Sequence, residues 1–372
     1  MSEITPSTGI LEIHDKGYGF LRKPERGGSP TPQDVFVPPD MIKKNGLLSG
    51  LELSGVSAMN GRGPQLTELQ LINNKPVDSF KQQLRFEDLT TINPNRWIPL
   101  ETASDNLTTR IIDLMTPIGH GQRAMIVAPP RSGKTIMMRS IAEAVAKNSP
   151  ETHLMIVLID ERPEEVTDFR QFIQGRGELW SSSNDQDISS HTRLAKIMIE
   201  RAKRLVESGR DVFMLLDSLT RLGRAFNSNT KGGGRTLSGG LDSRGMEIPR
   251  KIFAAARQTE EAGALTIVAT ALIDTGSKMD QVIFEEFKGT GNMEIVLDRK
   301  LSDVRIYPAI DIEKSGTRRE ELLLPKEILE KVNIIRRGLH GQPIQAQMER
   351  LQFLLKKYPD NKTALKELPS LR

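Results

Sequence analysis

The sequence predicts an α/β core with a mostly parallel sheet, preceded by a small all-β barrel. Three observations lead to this. Residues 9–75 break into short runs of alternating apolar and polar residues separated by Gly, Pro and Asn turns, the pattern of a small barrel. From about residue 107 apolar runs alternate with helical stretches, the pattern of βαβ units and a parallel sheet. At 128–135 the string APPRSGKT follows an apolar run (Met125, Ile126, Val127) and precedes helical spacing. Strand, tight loop and helix start is the geometry that turns backbone N–H groups toward phosphate.

Along the chain, barrel strands are predicted at 9–13, 18–22, 34–37, 51–57 and 65–72, with a flexible loop over 24–33. Residues 76–105, rich in Pro, Asn and Thr, read as a connector. Core strands are predicted at 124–128, 154–160, 212–217 and 265–270. A helix over 136–147 carries Ile136, Ile141, Ala142 and Val145 at helical spacing, and 321–357 reads as helical with Leu351, Leu354 and Leu355 on one face. The domains expected are therefore 1–75, a connector over 76–105, and 106–372 with its helical end. There is no internal repeat.

Composition excludes several classes. The 372 residues contain no cysteine, which rules out disulfides and thiolate-held metals. No apolar stretch approaches the ~18–20 residues of a membrane span, and the first residues lack a signal-peptide layout. A cytoplasmic protein with no membrane contact is expected. Net charge is +4 but unevenly placed: residues 1–75 carry 8 basic and 8 acidic side chains, whereas 331–372 carry 9 basic and 3 acidic. A basic tail suits nucleic acid or an acidic partner, and equally a solvated helix face.

The phosphate-loop string departs from G-x-x-x-x-G-K-[ST] in its first residue, Ala128. Lys134 is placed to reach β/γ-phosphates and Thr135 to hold Mg²⁺. Two further strand ends turn nucleotide binding into hydrolysis. Leu154–Ile159 ends in Asp160, Glu161 and Arg162, and Val212–Leu216 ends in Asp217 and Ser218. In open α/β sheets, ligands bind beyond the carboxyl ends of strands. Asp217 suits a Walker-B carboxylate near Mg²⁺, and Glu161 suits orienting and polarising the attacking water. Hydrolysis also needs a cation on the γ-phosphate, and composition does not choose among Arg162, Arg221, Arg299, Arg305 and Arg318.

A nucleic-acid site is suggested at 16–22, KGYGFLR, whose first five residues fit the start of the RNP1 pattern. With Phe36 of DVFV, Tyr18 and Phe20 form a platform on which bases stack, and Lys16 and Arg22 meet phosphate. The competing reading puts these rings in the barrel core. The interleaved glycines argue against it, since glycine in a strand makes sense where a ligand approaches. The loops 231–240 (KGGGRTLSGG) and 273–280 (IDTGSKMD) either grip a strand through Arg235, Ser238 and Lys278 or are plain surface loops.

These strings, with DVFVPP, PIGHGQRAMIVAPPRSGKT, LIDERPEEVTDF, DSLTRL, TLSGGLD, EEFKGTGNMEI and YPAIDIEKSGTRREELL, run from about residue 8 to 340. Over that length the chain resembles the Rho family of bacterial transcription termination factors. The resemblance implies an OB-fold (cold-shock-like) barrel and a RecA-like P-loop ATPase core. It implies a homohexamer that hydrolyses ATP with Mg²⁺, moves 5′→3′ along single-stranded RNA and acts with RNA polymerase and elongation factors. Glu161 then corresponds to the catalytic glutamate, Lys134 and Thr135 to the Walker-A pair, Asp217 to Walker B, and Arg318 to a finger supplied by the adjacent subunit. Nucleotide contacts are implied at Gly119, His120, Gly121, Gln122, Arg123, Ala124, Arg131, Ser132, Gly133, Lys134, Thr135, Ile136 and Arg162, with Tyr307 stacked on adenine. Tyr18, Phe20, Arg22 and Phe36 match a primary RNA site, and Arg235, Ser238 and Lys278 a secondary one in the pore loops.

Three departures stand out. The chain starts almost directly at the barrel, where the family commonly has a helical subdomain. Arg235 replaces the usual lysine, keeping charge but changing geometry. The tail after about residue 341 diverges. Two other readings stay open: a rotary-type ATPase subunit, which would leave KGYGFLR without a task, and an RNA chaperone or regulator whose ATPase core only drives assembly.

Overall fold

The structure is a computed structural model describing residues 4–80, 83–229, 236–237, 240–242 and 244–368. Two compact units are formed, Met1–Thr91 with Met155–Val212 and Thr259–Gly263, and Ile92–Leu154 with Phe213–Gln258 and Ala264–Arg372.

In the first unit five strands close a barrel: β1 (Ile4–Ile13), β2 (Gly19–Arg22), β3 (Val35–Val37), β4 (Glu52–Asn60) and β5 (Gly63–Ile72). β1 pairs antiparallel with β2 and β4, β2 with β3, and β4 with β5. A parallel bridge from Phe36 to Gln65 closes the ring, so no long edge stays open. Leu11 lies opposite Leu21 across β1 and β2, and with Val37, Leu53, Leu66 and Ile72 they fill the interior. The strands agree with the expected runs to within a few residues, β1 being longer. The connector is more ordered than its Pro/Asn/Thr content suggests: Val77–Phe80 is helical and Phe80 joins the barrel core.

The same unit contains the parallel pair His153–Glu161 and Glu178–Ser183 and the helices Pro163–Ile173 and Ile188–Glu207. Arg201, 2% exposed, fastens the barrel to them. Its Nη2 lies 2.7 Å from Glu52 and 2.8 Å from Glu178. Breaking one arm of such a buried pair strands the other charge, which costs about 3–5 kcal/mol.

The second unit is built on the strand Arg123–Ala128, which lies parallel between Ala264–Leu272 and Met293–Val296. Val212–Asp217 neighbours Ala264–Leu272, and Gly316–Thr317 adds an antiparallel edge. Arg123–Ala128, Val212–Asp217 and Ala264–Leu272 are buried on both faces, which is why they read as nearly unbroken apolar runs. Glu178–Ser183 (ELWSSS) and Met293–Val296 (MEIV) escaped the sequence reading, one through its serines and the other through its brevity. The helical end is three helices, Lys326–Leu339, Ile344–Lys356 and Asn361–Lys366. Pro343 separates the first two because its ring cannot continue a helix. The fully buried Arg110 ties this end down, donating to Asn361 Oδ1 at 3.1 Å and to the carbonyls of Leu355 and Tyr358.

Asp113, on the helix Leu107–Met115, is buried, and desolvation pushes its carboxyl up to about 7 against the N–H groups of Leu100 and Glu101 that favour the anion. A carboxyl whose folded pKa exceeds its unfolded value stabilises most below the unfolded value and loses that contribution as pH rises through the folded one. Asp113→Asn is therefore expected to gain melting temperature relative to the wild type between about pH 4 and pH 7. A difference that stays flat across that window contradicts the assignment.

Candidate nucleotide site and nucleic-acid face

The phosphate loop is built by its backbone. Gly133 has φ +90°, a conformation L side chains rarely adopt, and a Cβ there would lie 3.3 Å from the Tyr307 ring. The Ser132 hydroxyl donates to the Pro129 carbonyl at 2.7 Å and cinches the loop. Gly133 caps the helix Lys134–Asn148 without any side-chain bond, leaving the positive helix end to a ligand. Lys134 Nζ lies 2.6 Å from both oxygens of Asp217. Asp217 is fully buried, and the Thr270 hydroxyl donates to it at 2.7 Å. A carboxylate at the end of a buried strand, already neutralised by one cation, is the donor chemistry a Mg²⁺–phosphate group requires. Thr135 is half-buried one residue further on.

Tyr307 is 40% exposed over Gly133, its carbonyl held by Gln352 Nε2 at 2.9 Å. The structure thus brings Gly133, Lys134, Asp217 and Tyr307 together. Arg131 is exposed on the loop. Ile136 departs from the expected buried stripe. Ile141, Ala142 and Val145 are buried, but Ile136, in the first helical turn after the loop, is 69% exposed.

The expected nucleotide contacts at Gly119–Ala124 do not join this group within one chain. They precede or open the strand Arg123–Ala128, a strand's length (about 16–20 Å) from the loop at its other end. Their polar groups serve the fold: Gly121 N–H donates to Thr266 Oγ1, Gln122 to Asn292, and the Arg123 guanidinium to the carbonyls of Thr290 and Ala256. His120 N–H donates to the Arg96 carbonyl, while Gly119 pairs with Trp97 and Ala124 is buried in the sheet.

In the first unit, Glu161 ends its strand at 2% exposure. The pairing register shifts between Ile159 and Glu161, and Asp160 between them has φ +55°. Such a bulge re-aims the following side chain. Arg162 is exposed at the start of the helix Pro163–Ile173. His191, unremarked in the sequence, bonds Ser182 Oγ through Nδ1 at 2.9 Å and holds Nε2 3.8 Å from Asp160. Arg318 is exposed beyond the edge strand, its N–H donating to the Asn292 carbonyl at 2.9 Å.

The three rings stand on the outer face of the barrel, none of them in its core. Phe20 is the cross-strand neighbour of Phe36, and period-two alternation sends both outward while Leu21 points in. Centroids lie 5.8 Å apart for Tyr18–Phe20 and 5.7 Å for Tyr18–Phe36 and Phe20–Phe36. With Asp34, Arg62 and Gln65 they line an open groove of about 660 Å³. His14 stacks on Tyr18 at 4.9 Å, extending the platform by a ring that its position before the motif did not signal.

One expectation is corrected here, and a second gains a condition. A Cβ on Gly19 would meet Leu11 Cδ1 at 2.6 Å, so this glycine serves the core, not ligand approach; Gly17, at φ +84°, serves the turn. Arg22 is 8% exposed, 2.5 Å from both Glu12 and Asp34, with its guanidinium 5.0 Å from the Phe20 centroid. A guanidinium neutralised by two carboxylates seats the ring, and meets a phosphate by giving up one of them. Lys16 is exposed at the turn. Lys278 is exposed at the first turn of the helix Lys278–Lys288, behind a loop held by Asp280, which takes Thr275 Oγ1 at 2.6 Å and Arg224 Nε at 2.7 Å. Arg235 and Ser238 lie outside the described residues.

Comparisons with known proteins fit this geometry. Residues 7–78 match the model of the Rho termination factor RNA-binding domain, and 108–317 that of the ATP synthase alpha/beta family nucleotide-binding domain. The fold and the phosphate loop thus define a P-loop nucleotide-binding core joined to an RNA-binding barrel. The transcription termination factor Rho of Cereibacter sphaeroides is 46% identical over 95% of this chain and 84% of its own length. That of Aquifex aeolicus is 47% identical over 97% and 84%, and that of Chromobacterium violaceum 46% over 95% and 85%. The chain belongs to the transcription termination factor Rho family. A solved ATPase from the type III secretion system of pathogenic bacteria shares the fold, with TM-score 0.60 and 22% identity over 73% of this chain and 80% of that one.

Proposed function

We propose that the chain is an RNA-dependent ATPase that binds nascent single-stranded RNA, moves along it 5′→3′ as a homohexamer in the cytoplasm, and terminates transcription in contact with RNA polymerase and elongation factors. One observation carries the reading: a phosphate loop whose Lys134 pairs with the buried Asp217 and an outward-facing triad of rings occur in one chain. A rotary ATPase subunit would have no use for the triad.

In this reading ATP lies over Gly133 with its adenine on Tyr307. Lys134 leaves Asp217 for the β/γ-phosphates. Thr135 and Asp217 would hold Mg²⁺, which would supply charge neutralisation at those phosphates. Glu161 orients the attacking water and accepts its proton, and Arg318 from the adjacent subunit meets the charge developing on the γ-phosphate. RNA bases stack on Tyr18, Phe20 and Phe36, while Lys278 lines the inner strand path. No helix among the described residues is long and apolar enough to cross a membrane.

Tyr18→Ala with Phe20→Ala is expected to weaken binding of single-stranded RNA fivefold or more, since each lost base stack costs about 1–3 kcal/mol, without changing nucleotide binding. Fluorescence anisotropy with a labelled oligonucleotide measures it. Unchanged affinity contradicts the stacking role. ATP-driven displacement of a paired strand separates this reading from an RNA chaperone, for which none is expected from an intact ring.

A further inference from the structure

We infer that Arg193 and His191 are positioning residues through which occupancy of the ring face acts on Glu161; the inference rests on the roles proposed above for those groups. Both belong to the helix Ile188–Glu207, yet they hold different things. Arg193 holds the barrel: its Nη1 lies 2.9 and 2.8 Å from the two oxygens of Glu12, and Nη2 donates to the Gly28 carbonyl at 2.9 Å. His191 holds the end of the catalytic strand through Ser182 and Asp160, the bulge residue immediately before Glu161.

Glu12 is the pivot. It is the cross-strand neighbour of Phe20 and is shared between Arg193 and Arg22, whose guanidinium sits by the Phe20 ring. Phe20, Arg22, Glu12, Arg193 and His14 line one groove of about 510 Å³ that continues from the stacking face. A phosphate of bound RNA entering it competes with Glu12 for Arg22. Released from one guanidinium, Glu12 draws more fully on the other. This gives the two alternative pairings, Arg22–Glu12 and Arg22–phosphate, that a coupling element requires. A second route runs the same way. The Gly27 carbonyl accepts from Ser181 N–H at 3.3 Å, and a Cβ on Gly28 would lie 2.5 Å from the Trp180 ring, so the loop held by Arg193 presses on Glu178–Ser183. That strand pairs with the one ending in Glu161, with Ser183 opposite Glu161 itself.

The test is steady-state ATP hydrolysis by the assembled full chain, with and without oligocytidylate, alongside oligonucleotide affinity and melting temperature. Arg193→Gln is expected to leave turnover without RNA and RNA affinity within about threefold of wild type while lowering RNA-stimulated turnover about three- to thirtyfold, the range single residues exert on coupling. His191→Ala is expected to lower the stimulated rate as well, and His191→Asn, whose amide sits where Nδ1 does, to restore part of it. If Arg193→Gln melts early, Arg193→Lys serves: it keeps the Glu12 ion pair, loses the Gly28 bond, and is expected to give an intermediate stimulated rate. A merely structural role lowers both rates by the same factor, and that result, or an unchanged stimulated rate, overturns the inference. A wild-type chain whose turnover ignores RNA overturns the functional reading itself and the inference with it.

Discussion

Glu161→Gln is expected to retain nucleotide binding and to lower ATP turnover by about 10²–10⁴, the usual contribution of a positioned general base. The amide keeps the shape of the side chain and a hydrogen-bonding oxygen but cannot take a proton from water. Shape matters at this position because Glu161 is 2% exposed and follows a bulge at Asp160 that fixes its direction. Alanine would open a buried gap and confuse loss of chemistry with loss of packing. Two measurements separate the effects: fluorescent nucleotide titration, expected unchanged within about threefold, and phosphate release, expected to collapse. Wild-type phosphate release from this variant would remove Glu161 from the mechanism.

Lys134→Met has the second large effect, and its interest lies in what accompanies the loss of turnover. Lys134 is the cation of Asp217, which is fully buried and accepts a further hydrogen bond from Thr270. Removing the lysine leaves a buried carboxylate without its counter-charge, and such a broken pair costs about 3–5 kcal/mol. The single variant is therefore expected to lose both nucleotide binding and several degrees of melting temperature. Adding Asp217→Asn removes the stranded charge, so the double variant is expected to recover most of the stability and none of the turnover. Equal melting temperatures for wild type and Lys134→Met would show that the Lys134–Asp217 pair carries no energetic weight.

Much of this was legible in the sequence where pattern and physics coincide. The barrel strands follow from alternation, the central strands from burial on both faces, and the phosphate loop from its strand–loop–helix setting despite Ala128. The family descriptions matched at 7–78 and 108–317 bear out the barrel-then-ATPase order. What was not legible depends on pairing across distance. Nothing local in ELWSSS marks a strand, because its pattern is set by the partner Met155–Glu161. The motif that suggests a phosphate contact for Arg22 gives no sign of its carboxylate partners, Glu12, ten residues upstream, and Asp34, twelve downstream. The glycines of KGYGF spoke correctly for a constraint and wrongly for its cause: Gly19 is small because Leu11 is behind it. His14, His191 and Arg193 carried no motif signal, since each matters only through the residue it touches.

The central claim is that one chain couples its phosphate loop to RNA. It is tested most directly by ATP hydrolysis measured with and without polycytidylate. Turnover is expected to rise sharply on addition of the RNA and to lose that rise in the Tyr18→Ala, Phe20→Ala variant. A rate indifferent to RNA, in an assembly that binds both ATP and RNA, contradicts it.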